Sequence, residues 1–133
     1  MVTRPSDLKY ARSHEWARLE GDIVTLGITD FAIQELTDLT YIGLPDVGDT
    51  IKKGDAFGDI ESVKAVSDLF APCGGEVLEV NPELTENENF EILARDPFGA
   101  GWLLKLRISD PAELNEMLDS AAYQKVVEES EDH

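Results

Sequence analysis

The primary amine of Lys64 lies between two carboxylates in the stretch Glu61-Ser62-Val63-Lys64-Ala65-Val66-Ser67-Asp68, which closes on Ala71-Pro72. Carboxylates at Glu61 and Asp68 favour the ammonium form of Lys64, which argues against a self-activated nucleophile and is consistent with a substrate lysine. Taken alone, such a lysine is most often a solvated surface charge. Near the start of the chain, Ser13-His14-Glu15-Trp16 groups a hydroxyl, an imidazole and a carboxylate. A carboxylate with a hydroxyl beside it can pair with and hydrogen-bond an ammonium ion. Glu15 reads equally as a solvated charge on a strand edge, Trp16 as core and His14 as structural.

No other set of residues assembles a reaction centre. The chain has one cysteine, Cys73, and two histidines, His14 and His133, too few for a zinc site. His14-Glu15 begins like a zincin motif, but Arg18 stands where the second histidine belongs. Gly99-Ala100-Gly101 lacks the third glycine of a dinucleotide fingerprint, and no phosphate-binding loop occurs. With no nucleophile–base pair and no metal set, an enzyme is the least supported class. Any cofactor must be carried covalently.

The 133 residues suit one domain, and 42% hydrophobic content is enough for a core. Acidic residues outnumber basic ones 28 to 11, a formal charge of −17, which argues against nucleic acid and favours partners of complementary charge. No apolar run reaches membrane-spanning length, and Met1 to Pro5 starts no signal-peptide core. Cys73 cannot form an internal disulfide, fits a reducing compartment and reads as a small packing residue. The expected location is the bacterial cytoplasm, or the mitochondrial matrix after loss of a leader.

The elements that position these residues are mostly strands. Ile23 to Ile28 alternates with Val24, Leu26 and Ile28 on one face, and Thr29-Asp30 can cap a short helix from Phe31 to about Leu36. Strands are expected over Thr40 to Leu44, around Thr50-Ile51, over Ala56 to Ser62 and Val66 to Ala71 on either side of Lys64, and over Glu76 to Val80. Lys53-Gly54-Asp55 is a turn signal. Val63-Lys64 is a poor two-residue turn, because such turns prefer Asn-Gly or Gly-X. Asn81 to Asn89 reads as a polar loop, and Trp102 to Ile108 as an alternating strand. Asp110-Pro111-Ala112-Glu113 offers an N-cap, a first-turn proline and a capping glutamate for a C-terminal helical segment over about 110–130. The acidic tail, Glu128 to Asp132, reads as a frayed end. Short strands with terminal helices predict a mainly β sandwich or barrel.

Glu61 to Asp68, together with Ser13-His14-Glu15-Trp16, Gly27-Ile28-Thr29-Asp30-Phe31-Ala32, Glu76 to Asn81, Asp96-Pro97-Phe98-Gly99 and Gly101-Trp102, resembles the H protein of the glycine cleavage system over nearly the whole chain. The resemblance implies a barrel-sandwich hybrid, the fold of lipoyl and biotinyl carriers, with a quasi-two-fold between sheets. It implies lipoate on Lys64 within a motif that includes Glu61, Ser62, Val63 and Ala65, and a cleft for the aminomethyl group that includes Ser13, Glu15 and Asp68. It implies a monomeric carrier that shuttles the aminomethyl group of glycine from a pyridoxal-phosphate glycine decarboxylase to a tetrahydrofolate-dependent aminomethyltransferase. Dihydrolipoamide dehydrogenase then reoxidises it, and a lipoate ligase or octanoyltransferase modifies it.

Thr37 replaces a family glycine, and Phe90 to Ala94 lacks the family's proline and asparagine in the loop before Asp96-Pro97. Two alternatives therefore stand. One is an H-like lipoate-binding protein of another pathway, such as sulfur oxidation or lipoyl relay. The other is an unmodified acidic binding module. A biotin carrier is disfavoured, because Val63-Lys64-Ala65 lacks flanking methionines.

Overall fold

The computed structural model describes residues 5–36 and 38–131. Its elements are β1 (Lys9–Tyr10), β2 (Glu15–Glu20), β3 (Ile23–Ile28), α1 (Asp30–Leu36), β4 (Leu39–Gly43), β5 (Thr50–Ile51), β6 (Ala56–Ser62), β7 (Val66–Phe70), β8 (Gly75–Val80), α2 (Pro82–Thr85), α3 (Glu91–Arg95), β9 (Leu104–Ile108), a 3₁₀ helix (Pro111–Glu116) and α4 (Ser120–Glu131). The strands form a six-stranded sheet, β1-β2-β3-β9-β8-β5, and a three-stranded sheet, β4-β6-β7. Every pairing is antiparallel. The two sheets are not closed into a barrel, and the architecture is the mainly β barrel-sandwich hybrid.

The alternation along β3 and β9 works as expected: Val24, Leu26, Ile28, Leu104, Leu106 and Ile108 are all buried. They meet Ile42, Ile60 and Leu69 of the smaller sheet in the main core. A second core holds Tyr10, Trp16, Phe31, Phe98, Tyr123 and Val127. Trp16 lies over its register partner Gly27, where a Cβ would fall 2.3 Å from the indole. Its Nε1 donates to Ile28 O at 3.1 Å and Pro97 O at 3.0 Å. A residue larger than glycine at 27 would displace the tryptophan that anchors the start of β2.

Several expectations need correction. Asn81 to Asn89 contains α2: Asn81 is its N-cap, accepting from Glu83 N–H at 3.1 Å, with Pro82 in the first turn. Phe90 to Ala94 lies in and just before α3, a helix and not a loop. β4 starts and ends one residue earlier than Thr40 to Leu44. Asp110 caps the 3₁₀ helix through Ala112 N–H, but Glu113 accepts from Gly74 N–H at 2.9 Å instead of completing a capping box. The C-terminal helical segment is broken, with Met117 to Asp119 separating the 3₁₀ helix from α4. Glu128 to Glu131 belongs to α4, while Asp132 and His133 lie outside the described residues. Thr37 lies outside them as well.

Candidate functional site

Lys64 is exposed at the tip of the β6–β7 hairpin, between the paired residues Glu61 and Val66. The turn has neither glycine nor asparagine at its centre. Ser62 replaces them: its Oγ accepts from Lys64 N–H and Ala65 N–H, both at 3.2 Å, and Ser62 N–H donates to Ala65 O at 2.8 Å. A serine that bonds backbone amides two and three residues ahead supplies turn geometry from its own side chain. Val63 N–H also donates to Asp38 O at 3.3 Å, tying the tip to the segment after α1. Val63 and Val66 are exposed beside the lysine. The hairpin tip thus presents an exposed amine on a held backbone.

Beside this hairpin lies a cavity of about 130 Å³. Ser13, His14 and Glu15 line it from the start of β2, Ala32, Glu35 and Leu36 from α1, Ile60 from β6, and Ser67, Asp68 and Leu69 from β7. The structure thus brings Ser13, Glu15 and Asp68 to one cavity wall, although Glu15 and Asp68 are far apart in sequence. Asp68 is exposed at its edge. Lys64 is not a lining residue, but it lies in the turn four positions before Asp68, which is on β7.

Glu15 is only 1% exposed, so it is not a solvated edge charge. Its carboxylate accepts from Ser13 Oγ–H and, at 3.0 Å, from Phe70 N–H of β7. Glu15 therefore bridges the two sheets through a backbone amide. Burial pushes its carboxyl above the usual carboxylate range, and the bonds from Ser13 and Phe70 only partly offset that. A buried carboxylate at the wall of a mostly apolar cavity is poised to stabilise a cation entering it.

His14 has its imidazole Nδ1 2.7 Å from the Tyr123 hydroxyl of α4 and its ring against Phe31. Thr29 Oγ1 also lies 2.7 Å from that hydroxyl. The sequence reading missed Tyr123 as a neighbour of this site. Its helical spacing identified a buried face of α4 but not what that face touches. Cys73 is fully buried, and burial, with Glu113 nearby, pushes its thiol up to about 12. Among the described residues no group of three His, Cys, Asp or Glu side chains is arranged to hold a metal ion.

Phe90 and Ala94 do not line the Ser13–Glu15–Asp68 cavity. They face a separate groove with Ile33, Gln34, Asp38 and Leu39. A further groove of about 510 Å³ between β4 and α2 contains neither the hydroxyl–carboxylate pair nor Lys64.

The glycine cleavage H-protein profile matches residues 8–130. The chain belongs to the glycine cleavage H-protein family. It is 51% identical over 127 residues to a glycine cleavage system H protein of Anaeromyxobacter sp. (strain K), covering 96% of this chain and 98% of the relative. It is 51% identical over 129 residues to that of Carboxydothermus hydrogenoformans, covering 97% and 98%. The crystal structure of a glycine cleavage system H protein from Mycobacterium marinum superposes with a TM-score of 0.82 at 37% identity, over 92% of this chain and 97% of that one. Members of this family are lipoyl carriers and not catalysts.

Proposed function

We propose that this protein carries lipoate on Lys64 and moves the aminomethyl group of glycine between the enzymes of the glycine cleavage system. The observation that carries the reading is the pairing of an exposed hairpin lysine with an adjacent cavity whose wall holds the buried Glu15 carboxylate. The chain's residues fit the group. Lys64 offers an accessible amine for amide formation, and the cavity is bounded by Ile28, Ile60, Leu36 and Leu69, side chains suited to an aliphatic arm. Lys64 would hold the group through an amide, close in sequence to Asp68 at the cavity edge. When bound, the lipoyl group supplies the sulfur that takes the aminomethyl cargo.

The remaining work belongs to the protein. Glu15 pairs with the ammonium of the cargo, and Ser13 holds the carboxylate toward it. The apolar wall excludes water from a cargo prone to hydrolysis. Asp68, at the mouth, offers a second, solvated carboxylate. A group tethered on Lys64 would meet successive active sites by effective concentration, without tight binding of any of them. Partners under this reading are a glycine decarboxylase, an aminomethyltransferase, dihydrolipoamide dehydrogenase, and a lipoate ligase or octanoyltransferase, met by a monomer in the cytoplasm.

The departures at Phe90 and Ala94 do not favour another pathway, because they lie off the cleft. The test is the intact mass and exchange activity of the protein from its native source. A lipoyl increment on the peptide containing Lys64, absent in Lys64→Arg, and glycine–bicarbonate exchange with its own glycine decarboxylase are expected. Lipoylation that persists in Lys64→Arg refutes the attachment site. A lipoylated protein inert with that decarboxylase refutes the pathway.

A further inference from the structure

We propose that Tyr123 is a positioning residue for the cleft: through its hydroxyl, α4 holds His14 in a left-handed conformation and so fixes the turn that aims Ser13 at Glu15. This rests on the cleft reading above and extends it to a helix that does not line the cavity.

His14 has φ of 80°, a region that few residues with a side chain occupy; histidine enters it more readily than most, but the conformation still has to be held by its surroundings. It stands between the two residues whose side chains meet, Ser13 and Glu15. Its backbone is tied on both sides: His14 N–H donates to Ala11 O at 2.9 Å, and Thr29 N–H donates to His14 O at 2.9 Å. Its imidazole is held by Tyr123 Oη at 2.7 Å, and the same oxygen lies 2.7 Å from Thr29 Oγ1. One hydroxyl thus bridges the turn before β2 and the residue that follows β3.

That hydroxyl is itself well placed. Tyr123 is fully buried and stacked on Tyr10, ring centroids 5.0 Å apart. Tyr10 exchanges backbone bonds with Leu118, at 2.8 and 2.7 Å, pinning the chain just before α4 to β1. Asp119 caps the helix through Ala122 N–H at 2.8 Å. Nothing in this chain of contacts serves the hairpin around Lys64. It serves the turn that carries Ser13.

The experiment uses the full chain with Tyr123→Phe, His14→Gly, the double variant, Glu15→Ala, and Val77→Ala as a buried control on β8. Tyr123→Phe keeps the stacked ring and removes only the oxygen. In the unmodified protein, exchange of the Thr29 amide proton, bonded to His14 O, should quicken about two- to tenfold in Tyr123→Phe. Val77→Ala should quicken it no more than its loss of global stability requires. In the lipoylated protein loaded through its glycine decarboxylase, release of formaldehyde and ammonia should quicken by a similar factor in Tyr123→Phe and not in Val77→Ala.

Glycine adopts positive φ without help. In the His14→Gly background, Tyr123→Phe should therefore leave the cargo lifetime unchanged and quicken Thr29 exchange less than it does beside His14, the contact with Thr29 Oγ1 being lost in both backgrounds. A Tyr123→Phe protein whose Thr29 exchange and cargo lifetime match wild type overturns the proposal. So does an equal effect of Tyr123→Phe with and without His14→Gly, which would make the tyrosine merely structural. If Glu15→Ala leaves the cargo lifetime unchanged, the cleft reading fails and the positioning role with it. If Glu15→Ala shortens the lifetime and Tyr123→Phe does not, only the positioning role fails.

Discussion

Replacing Glu15 with glutamine tests the cleft most directly, because it keeps the shape and removes the charge. Glu15 is 1% exposed, so water screens little of its interaction with a cation placed against it. A hydrogen bond to a charged group is worth about 1.5–3 kcal/mol, and about 1.4 kcal/mol is tenfold in an equilibrium. The aminomethyl cargo should therefore be lost about ten- to a hundredfold faster from Glu15→Gln than from wild type. The assay is release of formaldehyde and ammonia from purified, loaded protein. Lipoylation itself should be unchanged, since Glu15 contributes nothing to the Ser62 turn. The fold should survive: the amide oxygen of the new side chain can still accept from Phe70 N–H, and the Ser13 hydroxyl can turn to accept from the amide nitrogen.

The same variant carries a pH signature. Burial holds the Glu15 carboxyl above its usual range, so the folded protein binds this proton more tightly than the unfolded chain does. That contribution is fully present below the ordinary glutamate value and is lost as pH rises through the raised one. Glu15→Gln lacks this slope, so its Tm should gain on that of wild type as pH rises across the window. Cargo lifetimes should converge as pH falls and Glu15 becomes protonated. Equal cargo lifetimes at neutral pH would refute the pairing. A stability difference that does not vary with pH would refute the buried charge.

Ser62→Ala removes the oxygen that accepts from Lys64 and Ala65 N–H. It should cost about 0.5–1.5 kcal/mol and slow the initial rate of lipoylation several-fold, read by intact mass against time. Cys73 is fully buried with its thiol pushed up to about 12, so iodoacetamide at pH 8 should leave the native protein unlabelled and label it promptly in denaturant. Gly27→Ala would put a Cβ 2.3 Å from the Trp16 indole and should cost about 1–3 kcal/mol or more, visible as a lower urea midpoint and altered tryptophan fluorescence.

Local signals were legible where one physical preference dominated. β3 alternates because one face meets the core, and Val24, Leu26 and Ile28 are all buried. Thr29 accepts from Ala32 N–H at 3.4 Å, as its position before α1 suggested. Asp110 and Pro111 start a helix because an extended cap and a prefixed φ favour one. The misreadings occurred where polar residues serve two uses. Asn81 to Asn89 is polar except for Pro82 and Leu84, yet Asn81 with Pro82 starts α2, a helix of four residues too short for an apolar period to show. Glu113 follows its N-cap at capping-box spacing, but a Gly74 amide offered by the tertiary fold takes its carboxylate.

The sequence by itself determined the setting of the Lys64 amine. Lys64 lies in a motif whose strands, turn serine and flanking acids are all contiguous, so their relation is set by local geometry. It also determined the strand-rich class, through alternation and breakers. Only the tertiary structure decided what Glu15 is. Its neighbours in sequence, Ser13 and Trp16, are consistent with a solvated edge, and its burial depends on Phe70 arriving 55 residues later to donate an amide. The tertiary structure alone also brought Asp68 to the same cavity and set Tyr123 against His14, 109 residues away. Burial and long-range hydrogen bonds are properties of packed sheets and helices, not of spacing along a chain. The buried charge of Glu15 is thus a product of the fold, whereas the setting of Lys64 is a product of a motif.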